Sequence, residues 1–74
     1  MFKKKEPVYV SHLNEIRRAK GLSVETLAEK VGVSKQTIDS IELGKHKLSL
    51  ELAYEISGAL DCRVEEVFPR VGGK

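Results

Sequence analysis

Apolar residues recur along this chain at spacings of three and four, in short blocks separated by turn residues, which is the signature of helices rather than strands. The clearest stretch is residues 23–42, SVETLAEKVGVSKQTIDSIE. Leu27, Ala28 and Val31 share one face of a first short helix, and Ile38 and Ile41 share one face of a second. Ser23 and Ser34 stand just before these helices, where a side-chain oxygen accepts a backbone N–H that has no partner within the helix. At Gly32-Val33 the glycine gives the backbone freedom a tight turn needs, and the small Ala28 lets the two helices approach closely.

The same signals divide the remainder. A helix is expected from Ser11 as N-cap to about Lys20, with Leu13 and Ile16 facing inward. Gly21 then supplies a left-handed stop, and Leu22 folds back on the last turn in a Schellman-like ending. Leu43-Gly44 closes the helix that carries Ile38 and Ile41. Ser49 caps a helix over about Leu50 to Leu60, whose core stripe is Leu52, Ala53, Ile56 and Leu60, and Asp61 takes the left-handed position after it. A last helix of about Val64 to Phe68 lays Val67 and Phe68 over the core, and Pro69 ends it. Val8-Tyr9-Val10 favours a short strand, which needs a partner such as the same segment of a second subunit. The expected organisation is an arm over residues 1–10, one all-helical domain over 11–68 and a flexible tail over 69–74.

Two charges lean toward the interior. Arg17 lies four residues after Leu13, and Glu42 stands in the same relation to Ile38. Either charge would be costly to bury alone, so the spacing predicts an Arg17–Glu42 ion pair between the first and third helices.

Composition narrows the class. Seventy-four residues suffice for one small domain, which buries only about 60% of its unfolded surface. No apolar run approaches the roughly 18 residues of a membrane span, and nothing resembles a secretory leader, so no membrane partner and a cytoplasmic location are expected. Cys62 has no second cysteine to pair with and reads as a small core residue. His12 and His46 lack any metal-ligand spacing, so no metal or cofactor is expected. Nor is an enzyme: no nucleophile–base constellation and no phosphate-cradling glycine loop are present, and Glu65-Glu66 reads as a solvated face. The net charge of +2 is unevenly spread, since residues 1–47 carry ten Lys/Arg against six Asp/Glu and residues 48–74 carry three against five. A basic front and an acidic back suit a partner that is a polyanion.

The polar face of the second helix in residues 23–42 fits that partner. At 100° per residue Gln36, Asp39 and Ser40 point away from Ile38 and Ile41, with Lys35 and Thr37 on the flanks. Lys35 at the first helical position opposes the helix dipole, and an external phosphate or base acceptor would reverse that penalty. Two helices across a tight turn form a helix-turn-helix, whose second helix enters the DNA major groove. Lys3, Lys4, Lys5, Lys45 and Lys47 are further candidates for phosphate contacts.

From about Leu13 to Phe68 the chain resembles the Cro/C1-type (XRE) helix-turn-helix regulators, through the words IRRAKGLS, LAEKVGVSKQTIDSIE, GK, SLELAYEIS and VEEVF in that order and spacing. The resemblance implies an all-α, compact five-helix bundle of the lambda-repressor-like type. Such a bundle binds double-stranded operator DNA as a homodimer to regulate transcription, with repression expected. By position it implies that Lys35, Gln36, Thr37 and Ser40 face bases or nearby phosphates. Ser23, Val24, Lys45 and Lys47 would hold the DNA backbone. It also implies the Arg17–Glu42 pair that helical spacing predicts. Val24, Leu43 and Arg63 depart from the pattern, replacing a DNA-contacting glutamine, a phosphate-contacting asparagine and a helix cap respectively. An antitoxin-like or coactivator-like module that binds a protein partner on the same fold is the alternative. Tyr54, off the core stripe of its helix, is the candidate subunit contact.

Overall fold

Three serines start three of the helices. In the computed structural model, which describes residues 9–69, Ser23, Ser34 and Ser49 each adopt extended backbone and accept the N–H three residues on, from Thr26, Thr37 and Leu52. The distances are 3.0, 3.1 and 3.0 Å. Each such cap contributes about 1 kcal/mol, which matters in a domain this small. The helices they begin are the second, third and fourth of five: α1 Leu13–Ala19, α2 Val24–Val31, α3 Lys35–Glu42, α4 Leu50–Ala59 and α5 Val64–Val67.

The endings are as local as the beginnings. After α1 the Gly21 N–H donates to Arg18 and the Leu22 N–H to Arg17, both at 3.0 Å, which closes a Schellman motif around the left-handed Gly21. The pattern recurs after α3 through Gly44 and Lys45, and after α4 through Asp61 and Cys62. Asp61, at φ 57°, is the one non-glycine with positive φ among the described residues. Aspartate tolerates that region better than most side chains.

α2 packs against α3 and α4, α1 against α3, and α5 against α4. Leu13, Leu27, Ala28, Ile38, Ile41, Ile56, Leu60 and Val67 form one buried cluster, so each of the five helices contributes to the same core. Val31 and Leu52 pack against its edge half-buried, and Phe68 covers it from the C-terminal side. Ser57 lies in α4 among these residues, 2% exposed, and its hydroxyl has no hydrogen-bond partner. Ser57→Ala is therefore expected to leave stability unchanged or to raise it by up to about 1 kcal/mol, as thermal unfolding would measure.

The structure corrects two local expectations. α1 begins at Leu13 after His12, one residue later than a Ser11 cap would set it. The His12 N–H donates instead to the Val67 carbonyl at 2.8 Å, tying the entry of α1 to the end of α5. The Leu13 N–H donates to the Ser11 hydroxyl oxygen at a long 3.3 Å. No strand forms at Tyr9 and Val10, which make no backbone–backbone hydrogen bond among the described residues; Val8 lies outside them. At α5, Arg63 caps nothing with its side chain, but Glu66 reaches back to accept the Arg63 N–H at 2.9 Å. The expectations for Lys3, Lys4, Lys5 and residues 70–74 also fall outside the described part.

Candidate nucleic-acid interface

Ile38 and Ile41 are wholly buried, and their anchoring orients the rest of α3. Lys35, Gln36 and Asp39 are exposed on the other side, while Thr37 and Ser40 are half-buried at its margins. The Thr37 hydroxyl lies 2.9 Å from the Ser34 hydroxyl, so the cap and the neighbouring threonine share one hydrogen bond. The Gln36 side chain makes no hydrogen bond to the rest of the described protein, which leaves its amide donor and acceptor free for a ligand.

Lys35 has a partner the sequence did not single out. Its Nζ lies 3.3 Å from Oε2 of Glu25 in the first turn of α2, with both side chains more than half exposed. The Glu25 carboxyl is held below the ordinary carboxylate range by hydrogen bonding to its own backbone N–H, and then by hydrogen bonding to Lys35 and by its charge. An acidic residue opening one helix and a lysine opening the next, across a tight turn, was the available signal.

Ser23 opens α2 with its hydroxyl committed to the Thr26 N–H and hydroxyl. Val24 packs half-buried against the core edge, which leaves only its backbone to meet an external group. Lys45 and Lys47 are exposed on either side of a half-buried His46. The Tyr9 hydroxyl donates to the His46 carbonyl at 2.7 Å, and the Tyr9 ring meets Phe68 edge-on at 5.8 Å. Burial pushes the Tyr9 hydroxyl pKa upward. The arm thus pins the basic loop at its middle, while Leu48 packs against the core just beyond it. Nothing in the local sequence around Lys45 signals this contact, which spans 37 positions.

Arg17 and Glu42 meet behind this surface. Arg17 Nε donates to Glu42 Oε2 at 2.6 Å, and the two side chains are 10% and 11% exposed. Arg17 Nη1 also donates to the Leu22 carbonyl at 2.7 Å, and Asn14 Nδ2 donates to the other Glu42 oxygen at 3.0 Å. α1, the α1–α2 connection and the end of α3 are joined through this one cluster. Asn14, three residues before Arg17, completes it and was not anticipated from spacing.

Lys35, Gln36, Thr37 and Ser40 lie on α3, Ser23 and Val24 open α2, and the loop pinned by Tyr9 bears Lys45 and Lys47. Amide, hydroxyl and ammonium groups can hydrogen-bond base edges and phosphates, which is readout and grip rather than bond-making chemistry. Among the described residues no group of three or more metal-ligating side chains comes together, and no helix is long and apolar enough to cross a membrane. Leu50 and Tyr54, four residues apart on α4, are 69% and 60% exposed.

Comparison with known proteins bears on this surface. The family profile described as helix-turn-helix (HTH_3) matches residues 13–67. An HTH-type transcriptional regulator of Archaeoglobus fulgidus, itself uncharacterised, is 41% identical over 58 residues, covering 78% of this chain and 83% of its own. The restriction-modification controller protein C.AhdI of Aeromonas hydrophila superposes with a TM-score of 0.69 at 39% identity, over 73% of this chain and 82% of that one. SinR, a master regulator for biofilm formation solved in complex with DNA, superposes with a TM-score of 0.65 at 35% identity, over 72% and 86% of the two chains.

Proposed function

Because the chain belongs to the Cro/C1-type (XRE) helix-turn-helix family of transcriptional regulators, we propose that it represses transcription by binding a specific double-stranded operator as a homodimer, with α3 in the major groove. The observation that supports this most is the free Gln36 amide, held outward beside Lys35 by two isoleucines buried beneath it. Gln36 reads adenine through a bidentate pair, and Thr37 offers a methyl to thymine. Lys35 takes guanine O6/N7 or a phosphate, and Ser40 makes a short contact at the groove edge. The backbone at the start of α2, at Ser23 and Val24, and the pinned loop with Lys45 and Lys47 grip phosphates on either side.

Two copies placed one helical turn apart set their recognition helices about 34–36 Å from each other, on a roughly palindromic site. Leu50 and Tyr54 supply an exposed apolar row for the contact between copies. A regulator of this kind works in the cytoplasm, with the DNA it controls.

Gln36→Ala is expected to remove about 1–3 kcal/mol of discrimination at one base position per half-site. Binding to the operator and to single-position variants of it measures this, and an equal loss on every sequence would remove Gln36 from base readout. Lys45→Ala is expected to weaken specific and random duplex alike, and to flatten the salt dependence of log Kobs by about 0.9. A salt slope identical to the parent's would take Lys45 out of the interface.

A further inference from the structure

The ammonium of Lys35 is already occupied in the free protein. Glu25 Oε2 stands 3.3 Å from it, across the turn between α2 and α3. The same Glu25 carboxylate opens α2, where helix N-terminal amides favour an anion. Its place, between a helix N-terminus and a lysine, is one that suits a DNA phosphate. Asp39, exposed on α3, is not within ion-pair distance of any described lysine or arginine. Glu25 and Lys35 thus form a self-neutralised pair, whereas Lys45 and Lys47 have no ion-pair partner among the described residues.

Resting on the DNA-binding reading above, we propose that Glu25 is an intramolecular stand-in for a DNA phosphate, which occupies Lys35 until the duplex displaces it and so sets the strength and salt dependence of binding. The exchange is one of ion partners. Lys35 leaves a carboxylate for a phosphate or a guanine, and Glu25 is left unpaired beside a polyanion. Every duplex meets that cost alike, so the pair lowers affinity for operator and random DNA by the same factor and leaves their discrimination to Gln36, Thr37 and Ser40. The pair is solvent-exposed, which makes the effect modest and places it among contacts that tune affinity rather than create it.

The experiment is a binding cycle with the full chain, comparing parent, Glu25→Gln, Lys35→Gln and the double variant on the selected operator and on a random duplex across a salt series. Glu25→Gln is expected to tighten both by about two- to five-fold, the range of an exposed ion pair. It is also expected to steepen the salt slope by about 0.9, one phosphate's worth. In the Lys35→Gln background the gain is expected to fall by at least half. Weaker binding by Glu25→Gln would overturn the proposal and make Glu25 a support that aims Lys35. An equal gain in both backgrounds would overturn it too, since Glu25 would then act as a distant charge independent of Lys35. A readout without DNA guards against a shared failure: by NMR titration, the Glu25 carboxyl should titrate at higher pH in Lys35→Gln than in the parent. Unchanged titration would show that the pair does not form in solution. If the pair forms and the parent binds no duplex, the DNA-binding reading itself has failed.

Discussion

Arg17→Ala is expected to destabilise the fold by about 3–5 kcal/mol, the range for removing one partner of a buried ion pair. The loss strands the Glu42 carboxylate, which is 11% exposed and receives the Arg17 Nε–H at 2.6 Å. It also removes the donor to the Leu22 carbonyl and leaves only the Asn14 amide to satisfy Glu42. A domain of this size has about 5 kcal/mol of stability or somewhat more, so the variant should be largely unfolded near physiological temperature. Replacing Arg17 and Glu42 together by Met and Leu should cost far less, because no charge then remains buried and the apolar volume is kept. Urea unfolding of the parent, Arg17→Ala, Glu42→Ala and the Met/Leu pair separates these cases. Similar midpoints for all four would mean that the cluster contributes nothing beyond packing.

Ile38→Ala is expected to cost about 2–5 kcal/mol, the range for emptying a fully buried aliphatic site. Its second consequence is functional. Ile38 and Ile41 hold α3 to the core, so a cavity beneath α3 lets Gln36 and Lys35 wander from the geometry a base edge requires. Under conditions where the variant remains folded, operator affinity should drop more than random-duplex affinity, because phosphate grip tolerates displacement better than base readout does. A stability loss of the expected size with unchanged discrimination would show that packing beneath α3 and base recognition are independent.

What the sequence reveals is mostly local. Serine caps at 23, 34 and 49 and left-handed stops at Gly21, Gly44 and Asp61 involve residues within a few positions of each other, so the residue types suffice to place them. The Ser11 expectation missed by one residue: α1 begins after His12, whose N–H is held by the Val67 carbonyl at the other end of the domain. Arg17 and Glu42 are 25 positions apart, yet their meeting follows from two helical phases and the cost of burying a lone charge. Tyr9 is different: its hydroxyl bond to His46 depends on the path the arm takes across the finished bundle, which no local pattern encodes. The Glu25–Lys35 pair falls between these cases, being short-range in space but dependent on how closely the turn at Gly32 brings the two helix starts together. Of the proposed interface, the α3 face follows from helical phase, and the pinning of the Lys45–Lys47 loop is known only from the coordinates.

The most direct test is selection of bound sites from a random duplex pool at low, stated salt, using the purified parent and Gln36→Ala side by side. The parent is expected to enrich a roughly palindromic sequence with half-sites about one helical turn apart, and Gln36→Ala to lose one base preference in each half while keeping the spacing. A parent that enriches no duplex while forming a stable complex with another protein would contradict the account, as would a pool whose sequence is indifferent to residue 36.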